Sequence, residues 1–139
     1  MNQNTFTSMS DHFDKIKEYI SELNYSIVTE DRSSGIFMIE NENYGVKNVV
    51  LCVADPILII EQFLFELKDP NEYILKDLLM KNRDIVHGAF CLDSTGEKVI
   101  FRDTLQVSTL DLNELESTLN SLALLLTEYS DQLIEYAKH

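Results

Sequence analysis

Apolar residues Met9, Phe13, Ile16, Ile20 and Leu23 recur at steps of four, three, four and three, the spacing of one helical face, and Ser8 with Asp11 has the form of a capping box. After Asn24 the period shortens. The segments YSIVTE (25–30), GIFMIENE (35–42), VKNVVLCVA (46–54) and ILIIEQFLFEL (57–67) are rich in β-branched and aromatic residues and predict four strands. Their separators, DRSSG at 31–35, NYG at 43–45 and Asp55-Pro56, are short turn sequences, so neighbouring strands should run antiparallel. Along the fourth strand Ile57, Ile59, Phe63 and Phe65 fall on one side and Leu58, Ile60 and Leu64 on the other, so both faces call for cover.

The next segment, DPNEYILKDLLMKNR, predicts a second helix with Asp69 as N-cap, Pro70 at the first helical position and Glu72 closing a capping box. Lys81 and Arg83 complement the dipole at its end. The stretch GAFCLDSTGEKVIFRDTL (88–105) predicts a hairpin. Phe90 and Leu92 point one way and Ala89 and Cys91 the other, DSTG makes the turn, and Val99 and Phe101 alternate with Lys98, Ile100 and Arg102. Gly96 supplies a positive backbone angle, and Asp93 and Ser94 can bond their own backbone. In the last segment Asp111 caps, Glu114 closes the box, and Leu110 with Leu115 forms a hydrophobic staple. Leu112, Leu115, Leu119, Leu122, Leu126, Tyr129, Leu133 and Tyr136 then continue one face of a long helix, widened by Leu124 and Leu125, which suits packing across a sheet better than a coiled-coil seam. Helix, four strands, helix, two strands and helix (α-β-β-β-β-α-β-β-α) make an α+β fold with an antiparallel sheet.

Composition narrows the class. With 139 residues, 45% of them apolar and 25% charged, the chain is expected to be a single domain over residues 1–139 that folds without metal or disulfides. Against 24 acidic side chains stand 11 basic ones, and a formal charge of −13 disfavours nucleic acid and anionic membranes as partners. No export-type leader and no membrane-length apolar run is evident, so a cytoplasmic protein is expected, with Cys52 and Cys91 as buried thiols.

Candidate chemistry is sparse. His87, Asp93 and Asp103 would need convergent geometry to form a metal or catalytic site, and their alternating spacing in a hairpin does not provide it. No nucleophile and base pair and no glycine-rich phosphate cradle stands out, so no catalytic residue, cofactor or metal is assigned. The alternative is a small-molecule or enzymatic pocket between sheet and helix that uses Tyr25, Tyr44, His87 or Arg102.

The element order, with the run DLLMKNRDIVHGAFCLDSTGEKVIFRDTLQVSTLDLNELESTLNSLALLLTEYSDQL, resembles the YbjN-type bacterial sensory transduction regulator family and the type III secretion chaperone-like (Tir chaperone-like) fold it shares. The positions that carry the resemblance are Asn82, Gly88, Phe90, Leu92, Asp93, Gly96, Leu105 and the leucine series from Leu112 to Leu133. It implies a small acidic cytoplasmic protein that often dimerises and has no enzymatic activity, and it supplies no catalytic residues. Chaperones of this shape hold an extended client segment along apolar grooves of a dimer, whereas the YbjN-type relatives are linked to regulation. The compact turn Asn43-Tyr44-Gly45 stands here in place of a client-binding signature.

The leading expectation is therefore a non-enzymatic, homodimeric protein-binding module of chaperone or adaptor type, which takes its partner by β-strand addition or in an apolar groove. The first and third helices are expected to cover one face of the sheet, and the second helix with a second subunit the other. Phe63, Phe65, Ile74, Leu78 and Leu79 are the residues expected at that second surface.

Overall fold

The computed structural model describes the backbone of residues 2–69 and 71–138 and the side chains of residues 11–69 and 71–138. Its elements are α1 (Asn2–Glu22), β1 (Ser26–Asp31), β2 (Ile36–Asn41), β3 (Val46–Ala54), β4 (Ile57–Glu66), α2 (Glu72–Lys81), β5 (Ala89–Leu92), β6 (Lys98–Gln106) and α3 (Leu112–Lys138), with short 3-10 turns at Glu42–Tyr44 and Asn82–Asp84. The expected α+β order is the observed one. Six strands form a single antiparallel sheet in the order β1-β2-β3-β4-β6-β5, so that β6 is inserted between β4 and β5.

Local chemistry explains most element ends. The backbone of α1 starts at Asn2, ahead of the expected cap at Ser8, whose side chain lies outside the described residues. It closes on Asn24, left-handed at φ 64°, with Tyr25 N donating to Ile20 O and Asn24 N to Ser21 O, the bond pair of a Schellman motif. In the β1–β2 turn the Asp31 carboxylate accepts from Ser33 and Ser34, and these bonds hold its carboxyl below the usual range. The cap of α2 is Asn71, whose side chain accepts from Ile74 N, and not Asp69. Asn71 lies next to the helix, and its short amide reaches the free donor of the first turn, leaving Glu72 as the first helical residue. The hairpin turn is built as expected, with Asp93 accepting from Thr95 Oγ1 and Lys98 N, and Gly96 at φ 75°. Asp111 caps α3 by accepting from Glu114 N at 2.8 Å, above the buried pair Leu110 and Leu115.

The core lies between one face of the sheet and all three helices. Phe13 of α1 stacks on Phe37 of β2, with ring centroids 4.2 Å apart, and Phe37 pairs with Leu51 on the same face. Ile60 pairs with Leu51 and with Asp103, whose carboxylate accepts from the buried Thr118 of α3 at 2.7 Å. Leu115, Leu119, Leu122 and Leu125 of α3 are buried over this face, while Leu124 projects from it, so that only one of the two leucines expected to widen the stripe does so. α2 joins the same layer. Its Asp77 carboxylate accepts from the Tyr136 hydroxyl of α3, and Lys81 stands 5.2 Å from the Tyr129 ring centroid. The expectation that the second helix covers the other face is thus corrected: Asp77 and Lys81 tie α2 to α3, and Ile74 and Leu78 are buried in the same core. The register shift between Phe63 and Phe65 contributes to this arrangement: the bulge turns Phe65 to the helical side, against Tyr136, instead of leaving it on the side of Phe63.

Candidate protein-binding surface

With the helices on one face, strand alternation carries a second set of side chains to the other. The pairing registers arrange them in three rows. Ile36, Cys52, Ile59 and Thr104 form one, Met38, Val50, Glu61, Arg102 and Ala89 the next, and Phe63, Ile100 and Cys91 the third. Most of these side chains are half-buried by their sheet neighbours, and Phe63 is 54% exposed. In the middle row Arg102 and Glu61 pair across the strands at 3.4 Å, both more than a third exposed, so the pair contributes little to stability and sets a polar mark on an otherwise apolar surface. Lys98 lies 6.0 Å from the Phe63 ring centroid, extending its stem along the apolar edge.

The edges of the sheet are closed by different means. On β5 the Asn82 side chain accepts from Phe90 N at 2.8 Å and donates to Phe90 O at 3.2 Å, so one amide occupies the place of a seventh strand. At the other edge β1 carries a register shift between Ile27 and Thr29 and ends in Glu30 and Asp31. Backbone pairing is obstructed at both ends, whereas the three rows stay accessible.

Of the five residues expected at a second surface, Phe63 and Leu79 are exposed, at 54% and 69%, whereas Phe65, Ile74 and Leu78 are buried inside the chain. Phe63 belongs to the uncovered face, and Leu79 projects from α2 beside a hollow of about 340 Å³ that it lines with Leu75, Phe90 and Leu92. Ile36, Met38, Val50 and Ile59 were missed as surface candidates. Their signal was present in GIFMIE, NVVLCV and ILII, runs that are apolar at consecutive positions where one wetted face would demand alternation.

The candidate chemical groups are dispersed. Asp93 is held by its turn, Asp103 by Thr118, and the His87 carbonyl accepts from Ser121 Oγ at 2.7 Å. Among the described residues no group of three or more His, Cys, Asp or Glu side chains is placed to hold a metal ion. Tyr25 and Tyr44 neighbour each other at 6.3 Å, far along the sheet order from the β5 entry where His87 sits. Burial, and next the neighbouring Tyr44, pushes the Tyr25 phenol up to about 12. Cys52 and Cys91 are free and half-buried on the uncovered face, a correction to the expectation of buried thiols that follows from the absence of a helix over them. Burial raises the Cys91 thiol, Arg102 lowers it and Glu61 raises it.

Comparison with known proteins adds a family and a set of folds. The sequence profile of the CesT_Tir_1 family matches residues 9–139. By sequence, no curated protein matches. Among solved structures, the ExsC–ExsE complex aligns with TM-score 0.65 at 19% identity, covering 90% of this chain and 95% of that one. YbjN from E. coli, described as a candidate transcription regulator, aligns with TM-score 0.64 at 12% identity, covering 86% and 91%. The Yersinia pestis type III secretion chaperone SycH, in complex with a stable fragment of YscM2, aligns with TM-score 0.56 at 19% identity, covering 90% and 98%.

Proposed function

Because the chain belongs to the CesT_Tir_1 family, we propose that it is a non-enzymatic protein-binding module, of chaperone or adaptor type, that works in the cytoplasm as a homodimer and holds an extended polypeptide partner. One observation carries this reading: all three helices pack on one face of the sheet, which leaves Ile36, Met38, Val50, Cys52 and Ile59 on the other as an apolar surface, with the exposed Phe63 beyond the Glu61–Arg102 pair. Apolar contact on that face is favoured over strand addition, since Asn82 and the β1 bulge obstruct the two edges. SycH, of the same fold, is known in complex with a YscM2 fragment, which supports a polypeptide as the kind of partner. The rest of the chain is consistent with it: no helix among the described residues is long and apolar enough to cross a membrane.

The test combines light scattering on the eluting protein across a wide concentration range with recovery of co-purifying chains, for the wild type and for Phe63→Asp and Ile59→Asp. A dimer with one dominant bound chain, which the variants lose while keeping their circular dichroism, supports the reading. A monomer at every concentration with nothing bound overturns it.

A second reading, a small-molecule site, is favoured by the apolar hollow between α2 and β5, lined by Leu75, Leu79, Phe90, Leu92 and Val99. Thermal-shift screening of metabolites distinguishes it, because a ligand specific to the native state raises the melting point.

A further inference from the structure

On the helical side of the molecule, turned away from the uncovered sheet face, a groove of about 290 Å³ runs between α3 and the linker entering β5. Val86 on one wall is 84% exposed and Leu124 on the other 64%, an unusual cost for two apolar side chains on facing walls of one groove. The walls are held in place. Ser121 Oγ donates to the His87 carbonyl at 2.7 Å and ties the linker to α3. Gly88, at φ 80°, lets the chain pass so close to the sheet that a β-carbon there would lie 2.3 Å from the Phe101 ring.

The groove also has a sign. Asp84 and Glu128 line it, and among the described residues neither a lysine nor an arginine does. Burial first, then Glu128 and Asp84, raise the Tyr129 phenol at its end, while Lys81 lowers it. The Lys81 ammonium is already matched by the Asp77 carboxylate at 2.5 Å, and Arg83 lines a separate hollow with Met80, Lys81 and Asp84. Two exposed apolar side chains beside two carboxylates call for an apolar anchor with a cation next to it. We infer that the groove between α3 and residues 84–87 is a second docking site, for a peptide segment that seats an apolar side chain between Val86 and Leu124 and directs a flanking lysine or arginine to Asp84 and Glu128. A chain of formal charge −13 attracts such a segment at a distance, and the two carboxylates select its register. The site does not depend on the sheet face and stands if that face has another role.

The test is a titration of the full-length, nitrogen-15-labelled protein with a synthetic peptide of glycine and serine carrying a central Arg-Leu-Leu-Arg, followed by amide shifts. Shifts at residues 84–88 and 117–129 are expected, with affinity about tenfold weaker for Glu-Leu-Leu-Glu, for Glu128→Lys and for Val86→Ser, and weaker again at high salt. Both substituted side chains are exposed, so the variants keep their fold, which an unchanged spectrum elsewhere verifies. Shifts confined to the uncovered sheet face, equal binding of the acidic peptide, or no shifts at all overturn the inference. So do shifts at the groove that depend on protein concentration without peptide, which would place a second copy there.

Discussion

The Tyr136 hydroxyl donates to the Asp77 carboxylate across 59 residues of sequence, and the same oxygen accepts from Lys81 at 2.5 Å. One carboxylate thus joins α2 to the far end of α3. Burial disfavours the charge of Asp77, but the bonds from Lys81 and Tyr136 outweigh it and hold the carboxyl below its usual range. Asp77→Asn and Tyr136→Phe should each cost about 1–3 kcal/mol, the range for hydrogen bonds to a charged group, and a double-mutant cycle should show strong coupling between them. A depressed folded-state value means that stability is present above the ordinary carboxylate range and lost as pH falls through the folded value. Denaturant midpoints of wild type and Asp77→Asn should therefore converge as pH drops well below 3.8, the reference value of a free Asp side chain. The Tyr136 phenol is raised, by burial and then by Asp77, so its contribution is full below the ordinary tyrosine range and is lost as pH rises above it.

The strands and the third helix were legible because each is signalled twice, by a period and by a punctuating turn or cap. The strand in GIFMIENE, for example, ends at Asn41, whose side chain accepts from Tyr44 N, and TLDLNELE shows both Asp111 and its staple. Sidedness was harder to read. Placing Phe65 with Phe63 follows from simple alternation, and one bulged residue reversed it. The layer chosen by α2 was invisible for a different reason: Ile74 and Leu78 spell an apolar stripe, but only the pairing of Asp77 with Tyr136 and of Asn82 with Phe90 shows which surface that stripe meets. The uncovered face was partly legible, since two-sided apolar strands outnumber the helices available to cover them.

Asn82 closes the β5 edge by bonding both backbone groups of Phe90. Asn82→Ala removes both bonds at once and should cost about 1–3 kcal/mol. It should also open a pairing edge, so the variant is expected to self-associate at concentrations where the wild type keeps its native assembly. Light scattering against concentration checks this, and equal behaviour of the two proteins would show that the clamp has no protective role.

The two glycines that bracket β5 differ in what surrounds them. At Gly96 a β-carbon meets nothing within 4 Å, and Gly96→Ala should cost only the left-handed backbone penalty, about 1–2 kcal/mol. At Gly88 the same atom would lie 2.3 Å from one Phe101 ring carbon and 2.5 Å from another, and 3.2 Å from the Arg102 carbonyl. Gly88→Ala should add an overpacking cost to the backbone penalty, about 2–5 kcal/mol together, and displace the linker that forms one wall of the α3 groove. Urea denaturation of the two variants side by side measures the difference.

Phe63 and Leu78 are both apolar and both candidates for a partner surface on sequence grounds, yet they answer different questions. Leu78 is 4% exposed on the buried side of α2, and Leu78→Ser should destabilise by about 3–5 kcal/mol, so loss of binding in that variant reports on folding. Phe63 is 54% exposed on the uncovered face, and Phe63→Ser should change the free energy of unfolding of the isolated subunit by about 1 kcal/mol or less. If that face carries a contact in the native assembly, Phe63→Ser should lower the affinity of the contact by at least about tenfold, since an exposed aromatic beside buried Ile100 is the kind of anchor on which interfaces depend. Sedimentation equilibrium of wild type and variant, with unfolding curves taken under the same conditions, separates the two effects. Unchanged association of Phe63→Ser would move the contact away from the third row of the sheet.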